Sequence, residues 1–455
     1  MELKEVTLAQ MLTAREERQE RIADALRRYQ LPLVSFSMNI PGPVKYSPLI
    51  QRGFREGCRR LETALEQFPL TEIARVEAVT GCEVLYTVDA DAPAVKAVCA
   101  KLEDQDALGR LFDIDVIGSQ GQKLDRTLLG LEERGCMVCG AAGRGCASRR
   151  LHTLDELHRE TQRRLTEYFA AADRELVARL ATQSLMDEVN VTPKPGLVDR
   201  ANSGSHRDMD LQLFHTSAAA LSTYWGDCVE IGQKSAALAP EETFAQLRTA
   251  GLIAEQTMFA ATDGVNTHKG AIFLLGCVCG AMGRLWDAAQ PFCSIEKILD
   301  ECARMTAAPM TAEFKRIREL GASDAATAGA RLYLQYGLRG ARGEIADGLP
   351  GVRDIALPAL RDALSHGCSE EHAAAVALLH LIARGSDTNM VTRGGMDGAK
   401  FGAQAAKALL EHSTVPSIEQ IRALDVQFIE RNLSPGGCAD LLALTLFLFK
   451  KEKYL

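Results

Sequence analysis

The stretch "RRLHTLDELHRETQRRLTEYFAAADREL", residues 149–176, divides the chain into two parts of different character. The part before it contains short segments rich in Val, Ile, Phe and Tyr, bounded by Gly or Pro, and such segments predict β-strands. They read "LPLVSFSM" (31–38), "CEVLYTVDA" (82–90) and "RLFDIDVIG" (110–118). Because helical patterns lie between these segments, we predict an α/β or α+β domain for this part.

The part after the stretch has the apolar periodicity of helices. Leu176 and Leu180 are four residues apart, Leu185 and Val189 continue the pattern slightly out of phase, and Ala, Leu, Glu and Arg dominate up to the C-terminus. The stretch itself is also helical in pattern. We therefore predict two domains, an N-terminal one over residues 1–165 and an all-α one over 166–455, joined by a charged helix.

Composition and charge narrow the class of protein. A chain of 455 residues, 47% hydrophobic and 25% charged, is globular and exceeds one ordinary domain. The net charge of -8, without long basic blocks, argues against a nucleic-acid or anionic-membrane partner. The N-terminus has no signal-peptide pattern, and no apolar run reaches the roughly 18 residues of a membrane span. The thirteen cysteines are an odd number spread over a long chain, so we expect reduced thiols and a cytoplasmic protein.

The segment "GRLFDIDVIG" (109–118) contains two acids in alternation. On a strand, Phe112, Ile114 and Val116 would face the core, while Asp113 and Asp115 would share the other face, roughly 7 Å apart. Such a pair suits Mg²⁺ and phosphoryl or nucleotidyl transfer, so we predict a catalytic and metal-binding role for both acids. The alternative is an ordinary solvated strand face.

Two further N-terminal segments carry polar groups. The proline-broken loop "SFSMNIPGPVKYSPLI" (35–50) offers Asn39, Lys45 and Ser47 as donors for phosphate or ribose, unless it is only a structural turn. The segment "CMVCGAAGRGCASRRLH" (136–152) has the ligand types of a structural zinc site. A redox Cys-x-x-Cys or plain thiols remain alternatives. The predicted zinc ligands are Cys136, Cys139, Cys146 and His152.

Four polar clusters interrupt the helices of the C-terminal part. They are "EVNVTPKPGLVDRANSGSHRDM" (188–209), "ATDGVNTHKG" (261–270), "RGSDTNMVTRGGMDGAKF" (384–401) and "NLSPGGCADLL" (432–442). Each alone could be a capped helix start, but together they predict one shared site for a triphosphate and Mg²⁺, with helix N-termini favouring the anion.

The predicted residues of this shared site fall into two groups, and the magnesium ligands are taken from the first. The predicted catalytic residues are Glu188, Asp199, His206, Asp263, His268 and Asp387, with Asp263 and Asp387 binding Mg²⁺. The predicted substrate-binding residues are Lys194, Asn202, Asn266, Lys269, Asn389, Arg393 and Ser434.

These motifs resemble those of two known families. "SFSMNIPGPVKYSPLI", "GRLFDIDV" and the Cys/His segment resemble the apo-citrate lyase phosphoribosyl-dephospho-CoA transferase, which is nucleotidyltransferase-like. "TPKPGLVDRANSGSHRDM", "DGVNTHKGA", "GSDTNMVTRGG" and "LSPGGCADLL" resemble the triphosphoribosyl-dephospho-CoA synthase family. The resemblance covers nearly the whole chain and implies a fusion of the two.

The resemblance implies a bifunctional transferase. The C-terminal domain would join ATP and 3'-dephospho-CoA with release of adenine. The N-terminal domain would pass phosphoribosyl-dephospho-CoA to a serine of the apo acyl carrier subunit of citrate lyase, with release of pyrophosphate. Mg²⁺ would assist, with ATP as substrate and no nucleic acid or membrane as partner.

Three other interpretations compete with this one. A zinc-containing nucleic-acid-binding module is disfavoured by the acidic balance. An enzyme of the malonate decarboxylase system would use the same prosthetic group, but its transferase differs from the N-terminal pattern here. A fusion in which one domain serves only as a scaffold is disfavoured because both sets of motifs are intact.

Overall fold

The computed structural model describes residues 4–141, 146, 149, 151–321 and 327–454. The chain forms two compact units. The first comprises Met1–Ala172 with Ala288–Gln290, and the second comprises Asp173–Asp287 with Pro291–Leu455.

The N-terminal unit is built on a five-stranded sheet of order β2-β3-β1-β4-β5, in which every neighbouring pair is antiparallel. This is the α+β alternative of the prediction. The strands are β1 (Leu33–Met38), β2 (Leu70–Ala78), β3 (Gly81–Val88), β4 (Phe112–Ile117) and β5 (Lys123–Leu124), and the helices are α1 (Leu8–Tyr29), α2 (Pro48–Ala64) and α3 (Ala92–Asp104).

The two faces of the sheet differ in what they pack against. Strand alternation directs Phe36 and Ile114 to one face, where both are buried. Helix α2 approaches this face closely because Gly57 has no side chain, and a Cβ there would overlap the Phe36 ring. On the other face, Ile22 of α1 packs in a small cluster with Leu33, Leu85 and Ile117.

The C-terminal unit is helical, as predicted. Helix α4 (Leu154–Asn190) begins in the first unit and ends in the second, and it covers most of the charged stretch from which the domain division was inferred. The remaining helices are α5 (Leu211–Ala220), α6 (Ser222–Lys234), α7 (Pro240–Ala261), α8 (Lys269–Arg284), α9 (Ile295–Leu320), α10 (Ala328–Tyr336), α11 (Gly340–Ala346), α12 (Leu357–Ser365), α13 (Glu370–Ala383), α14 (Thr388–His412), α15 (Ile418–Glu430) and α16 (Gly436–Tyr454), with a π-helical segment at Gly351–Ala356.

Helix α8 is the most deeply buried helix end to end, with twelve buried residues between Ala271 and Gly283. Helix α6 packs against it at glycines: a Cβ on Gly232 or on Gly283 would overlap the backbone of the other helix. These contacts lie in the C-terminal half of α8, whose N-terminus directly follows the polar segment 261–268. None of the helices in the described parts of the chain combines the length and apolarity that crossing a bilayer requires.

Candidate active sites

The N-terminal unit contains a cavity of about 840 Å³ beside the free edge of β4. At this edge the backbone of Ile114 is held by helix α3: Lys96 Nζ donates to the Ile114 carbonyl at 2.7 Å, and the Ile114 N–H donates to Glu103 Oε1 at 3.1 Å. Since these bonds hold the residue between the two aspartates, they also hold the strand backbone from which both carboxylates project.

Asp113 and Asp115 both line this cavity, as the strand alternation predicted, while Phe112, Ile114 and Val116 are buried. The Asp115 carboxylate pairs with Lys123 at 2.7 Å. The Asp113 side chain is exposed to the cavity, and desolvation by the surrounding protein, followed by the charge of Asp115, raises its pKa. Two nearby carboxylates with one raised pKa are a donor set that fits a divalent cation.

Of the three residues predicted in the proline-broken loop, one lies at the cavity. Asn39 lines the cavity. Lys45 Nζ donates to the Ile40 carbonyl within the loop, and Ser47 Oγ accepts from the Ile50 N–H at 3.2 Å as the N-cap of α2. In this structure Lys45 and Ser47 therefore support the loop, and their predicted role in substrate binding stays a prediction.

Basic side chains that the sequence analysis did not select also line the cavity: Arg110, Lys123, Arg126 and Arg134. Arg134 donates to the carbonyls of Phe112 (2.6 Å), Glu103 (3.1 Å) and Gly109 (3.0 Å), so it supports the start of β4. Arg110 lies inside the motif "GRLFDIDV", and its place three residues before Asp113 is the sequence feature from which it could have been selected.

The four predicted zinc ligands come together. Their ligand atoms all lie within 4.8 Å of one another, and Cys139 Sγ and Cys146 Sγ are 3.5 Å apart. Tetrahedral zinc with bonds of about 2.3 Å places sulfurs roughly 3.8 Å apart. The turn at Cys136 presents the Val138 N–H to the Cys136 sulfur at 3.4 Å, and His152 Nε2 is buried without a hydrogen-bond partner among the described residues. The arrangement fits a metal ion.

In the C-terminal unit, all four polar clusters meet around the N-terminus of α16. His206 of the first cluster is 2.8 Å from Ser434 Oγ of the fourth. Asp387 of the third cluster accepts the Cys438 N–H of the fourth at 2.8 Å. Asp440 lies against Gly270 and accepts from the Ala271 N–H, which connects the second cluster. The structure therefore brings the four segments to one place.

The first cluster is a tightly hydrogen-bonded loop. Buried Lys194 donates through Nζ to Glu188 Oε1 at 2.6 Å and to the Glu188 carbonyl at 2.8 Å. Asp199 accepts the N–H groups of Lys194 (3.1 Å), Ala201 (2.6 Å) and Asn202 (3.0 Å). Burial raises the pKa of Glu188, and Lys194 opposes the rise. Lys194 and Asp199 therefore organise the loop.

The third and fourth clusters are joined by an acid and an arginine. Asp387 caps α14: one carboxylate oxygen accepts the N–H groups of Asn389 (2.8 Å) and Met390 (2.9 Å). Arg393 donates to the Asn432 carbonyl at 3.1 Å and to the Ser205 carbonyl. The predicted Mg²⁺ role of Asp387 stays a prediction, because its carboxylate already serves this turn.

Two groups of this site, buried His268 and half-buried Asp440, have unusual environments. His268 Nδ1 lies 2.7 Å from Ser217 Oγ, while its Nε2 is buried without a hydrogen-bond partner in the described chain. Burial, followed by the charge of Lys194, lowers the His268 pKa to about 3. Burial and the carboxylates of Glu188 and Asp387 raise the pKa of Asp440, a residue that the sequence analysis did not select although it lay within a quoted motif.

Two adjoining cavities open next to these residues. The smaller one, about 270 Å³, is lined by Asp387 and Asp440 together with Arg339 and Arg384. The larger one, about 540 Å³, is mainly aromatic and aliphatic, and it shares the wall 338–341 and Thr388 with the first.

Of the residues predicted for this unit, Asp387 lines the smaller cavity and Lys269 the larger, and the others line neither. Asp263 and Asn266 are on an exposed turn and line neither cavity. Lys269 borders the larger cavity, but pairs with Glu255 at 2.7 Å. Asn202 is exposed and donates to Asp425 at 2.9 Å, and exposed Asn389 lies against Gly436.

Comparison with known proteins agrees with this division of the chain. The family model described as ATP:dephospho-CoA triphosphoribosyl transferase (CitG) matches residues 174–455. The model described as apo-citrate lyase phosphoribosyl-dephospho-CoA transferase (CitX) matches residues 6–168. The second match favours the citrate lyase system over that of malonate decarboxylase.

Individual relatives show the same pattern. "Protein CitXG" of Haemophilus influenzae is 36% identical and aligns over 97% of this chain and 96% of its own. The "Probable 2-(5''-triphosphoribosyl)-3'-dephosphocoenzyme-A synthase" of Vibrio cholerae is 46% identical over 60% of this chain and 88% of its own. The corresponding synthase of Pectobacterium atrosepticum is 45% identical over 58% of this chain and 86% of its own.

With one family matched by each half and one relative aligned along nearly the whole length, the chain belongs to the fused CitX–CitG family and is a bifunctional transferase of citrate lyase prosthetic-group synthesis.

Proposed function

We propose that each unit carries out one step of this synthesis in the cavity described for it, with the domain boundary at residues 165/166. In the C-terminal unit, a ribose hydroxyl of 3'-dephospho-CoA attacks C1' of the ATP ribose, and adenine leaves. In the N-terminal unit, a serine hydroxyl of the apo acyl carrier subunit of citrate lyase attacks the phosphorus next to the ribose, and pyrophosphate leaves. The thirteen free cysteines support a reducing, cytoplasmic setting.

The observation that carries the C-terminal assignment is that the third and fourth polar segments line one small cavity at the N-terminus of α16, around which all four segments meet. Arg339, paired with Asp347 at 2.9 Å, and Arg384, paired with Glu344 at 2.7 Å, line it and would bind phosphate groups in exchange for those carboxylates. Asp387 and Asp440 also line it, and their pKa values are raised by burial. Gathering buried carboxylates is costly unless a cation or the reaction requires them. We therefore propose that this pair, rather than exposed Asp263, faces the Mg²⁺–triphosphate of ATP.

The remaining predicted residues of this unit have supporting roles in our proposal. Lys194 and Asp199 hold the loop that brings His206 to Ser434. Burial, followed by the charge of Arg393, lowers the pKa of His206, so the imidazole is neutral at physiological pH and can accept a proton. Asn266 and Lys269 at the start of α8, and Asn389 and Arg393 in α14, remain candidates for substrate contacts.

For the N-terminal unit, we propose a nucleotidyltransferase-like reaction at Asp113 and Asp115. Mg²⁺ held by these carboxylates would neutralise charge on the triphosphate chain. The protein holds the strand that carries both carboxylates through the backbone of Ile114. It also lines the cavity around the triphosphate with basic side chains, and Asn39 borders the same cavity. Together these features fit a polyphosphate substrate.

We propose that Cys136, Cys139, Cys146 and His152 bind a structural Zn²⁺. Three of these ligands border the same cavity: Cys136, Cys146 and His152. A tetrahedral ion with four protein ligands leaves no open position for substrate, so its role is to hold the segment that forms this wall.

The function is tested by replacing the two aspartates in the full-length protein. We expect Asp113→Asn and Asp115→Asn each to abolish mass addition to the apo carrier subunit, while adenine release from ATP and dephospho-CoA continues at the wild-type rate. Asp24→Asn, an exposed acid on α1, is the matched control. Normal carrier modification by both cavity variants would contradict the proposed N-terminal site.

A further inference from the structure

Arg110 differs from the other basic residues around the N-terminal cavity. It lies in the 3-10 turn Gly109–Leu111 immediately before β4, is half-buried, and lines the cavity together with Asp113 and Asp115. Within the described ranges, its guanidinium has neither a hydrogen bond nor an ion pair.

The cations near Arg110 are all partnered. Arg126 pairs with Asp104, Arg134 lies 3.5 Å from Glu103 in addition to its three carbonyl bonds, Arg164 pairs with Glu160 at 2.6 Å, and Lys123 pairs with Asp115. Burial, followed by the charges of Arg134 and Arg164, lowers the pKa of Arg110.

This environment favours an anion. A half-buried guanidinium among other cations, with no direct ion pair and only the charge of Asp104, which already pairs with Arg126, acting on it favourably, is poorly neutralised until an anion binds there. An anion that also approaches Asp113 and Asp115 would be repelled unless it brought a divalent cation with it. A polyphosphate chain carrying Mg²⁺ satisfies both conditions, because its charge is spread over several phosphates.

We propose that Arg110 binds the terminal diphosphate of the substrate's triphosphate chain, the portion that leaves as pyrophosphate. The inference rests on the function proposed above and adds a specific role to it. In the transfer step the serine oxygen bonds to the phosphorus next to the ribose. The bond that breaks joins this phosphorus to the oxygen that bridges it to the second phosphorus. The electron pair leaves with the diphosphate, and the serine proton is released to solvent.

The leaving diphosphate is the part of the substrate that most needs a fixed cation. Negative charge grows on the bridging oxygen as the bond breaks, and preorganised cations stabilise such charge best when they need no rearrangement. Arg126, Arg134 and Lys123 are already engaged with protein acceptors. Arg110 can meet the diphosphate without breaking an existing bond.

The test measures pyrophosphate binding to the full-length protein by calorimetry. We expect Arg110→Gln to weaken binding to the N-terminal site on the order of tenfold to a hundredfold, the range of a charge-assisted hydrogen bond. Arg110→Lys should recover part of the affinity, and Arg27→Gln on the exposed face of α1 should bind as the wild type does. Binding by Arg110→Gln within twofold of the wild type would overturn the inference.

Two further measurements distinguish pyrophosphate binding at Arg110 from binding in the C-terminal unit and from binding of dephospho-CoA. Inhibition of adenine release by pyrophosphate reports on the C-terminal unit and should be the same in Arg110→Gln and the wild type. If Arg110→Gln instead weakened binding of dephospho-CoA and left pyrophosphate binding unchanged, Arg110 would bind the internal diphosphate of dephospho-CoA. That result would overturn the assignment. Failure of the wild type to modify the carrier would contradict the proposed function itself, whereas a modifying wild type whose Arg110→Gln variant binds pyrophosphate equally well contradicts only the role of Arg110.

Discussion

His268 shows how strongly the interior of the C-terminal unit controls a single residue. Its imidazole is fully enclosed, with Nδ1 at Ser217 and the Phe214 ring 5.1 Å away. Because burial and Lys194 both disfavour the charged form, the folded protein holds this side chain neutral, with a pKa of about 3. An unfolded chain would protonate it near pH 6.5. Acid therefore favours the unfolded state through this residue.

We expect the C-terminal unit to lose about 2 kcal/mol of unfolding free energy through His268 between pH 7 and pH 5. The loss begins near pH 6.5, because the imidazole is protonated below that pH in the unfolded state. In the folded state it is not protonated until about pH 3. Denaturant unfolding followed by tryptophan fluorescence measures it, since both tryptophans, Trp225 and Trp286, belong to this unit.

His268→Gln is the comparison for this prediction. The variant starts less stable because a packed side chain is altered, but its free energy should fall less steeply with acid than that of the wild type. Equal pH dependence in the two proteins would contradict the protonation argument. His372, whose ring bonds the Pro416 carbonyl away from the proposed site, provides a control histidine.

The limits of sequence reasoning are clearest at single residues. The motifs identified the segments that meet around the N-terminus of α16, because Gly, Pro and acids between helical patterns are visible without a structure. They did not identify every acid that lines the cavity: Asp387 was selected and also caps α14, whereas Asp440 was overlooked inside an apparently helical run. The direction in which a side chain at a helix end points depends on how α8, α14 and α16 pack against one another. Sequence spacing does not contain that information.

At the level of elements, the segment from Cys136 to His152 is held by few backbone bonds among its described residues. Cys136 and Ala141 share one bond of 2.7 Å, and Gly140 donates back to the Cys136 carbonyl at 2.9 Å. Side-chain ligation by a metal would supply what the backbone lacks. The sequence predicted these ligands because their spacing is local, whereas it missed strand β2, whose residues alternate on an exposed surface.

We expect the purified protein to contain about one zinc ion per chain, and Cys139→Ser to reduce that content well below one. Elemental analysis of protein prepared without chelators measures the content. The N-terminal unit of the variant should also unfold at a lower denaturant concentration than that of the wild type. Unfolding of the C-terminal unit, followed by tryptophan fluorescence, should be unchanged. Cys368→Ser, a half-buried cysteine outside the cluster, is the matched control. If the wild-type protein contained no zinc, the proposed metal site would be wrong and the three cysteines would be ordinary reduced thiols.

At the scale of the whole molecule, the two reactions should be separable by mutation. We expect Asp440→Asn to lower adenine release at least about a hundredfold, because the carboxylate that faces the triphosphate cavity is lost. Carrier modification should recover fully when preformed triphosphoribosyl-dephospho-CoA is supplied. Mass spectrometry of the carrier subunit and chromatography of adenine measure the two steps.

The control for this prediction is Asp397→Asn, an exposed acid of α14. Unchanged adenine release by Asp440→Asn would remove Asp440 from the proposed site. Failure of the preformed intermediate to restore carrier modification would show that the two units do not act independently.

Helix α4 limits how this protein can be divided. Its first half buries Leu165 and Phe169 in the N-terminal unit, and its second half buries Val177 and Leu185 in the C-terminal unit. Scission between residues 172 and 173 would fall inside the helix and leave up to four N–H and four carbonyl groups without partners on the two new ends. Two independently stable enzymes would therefore each keep their own half of this helix, and water or a capping residue would have to satisfy the backbone groups at the two new ends.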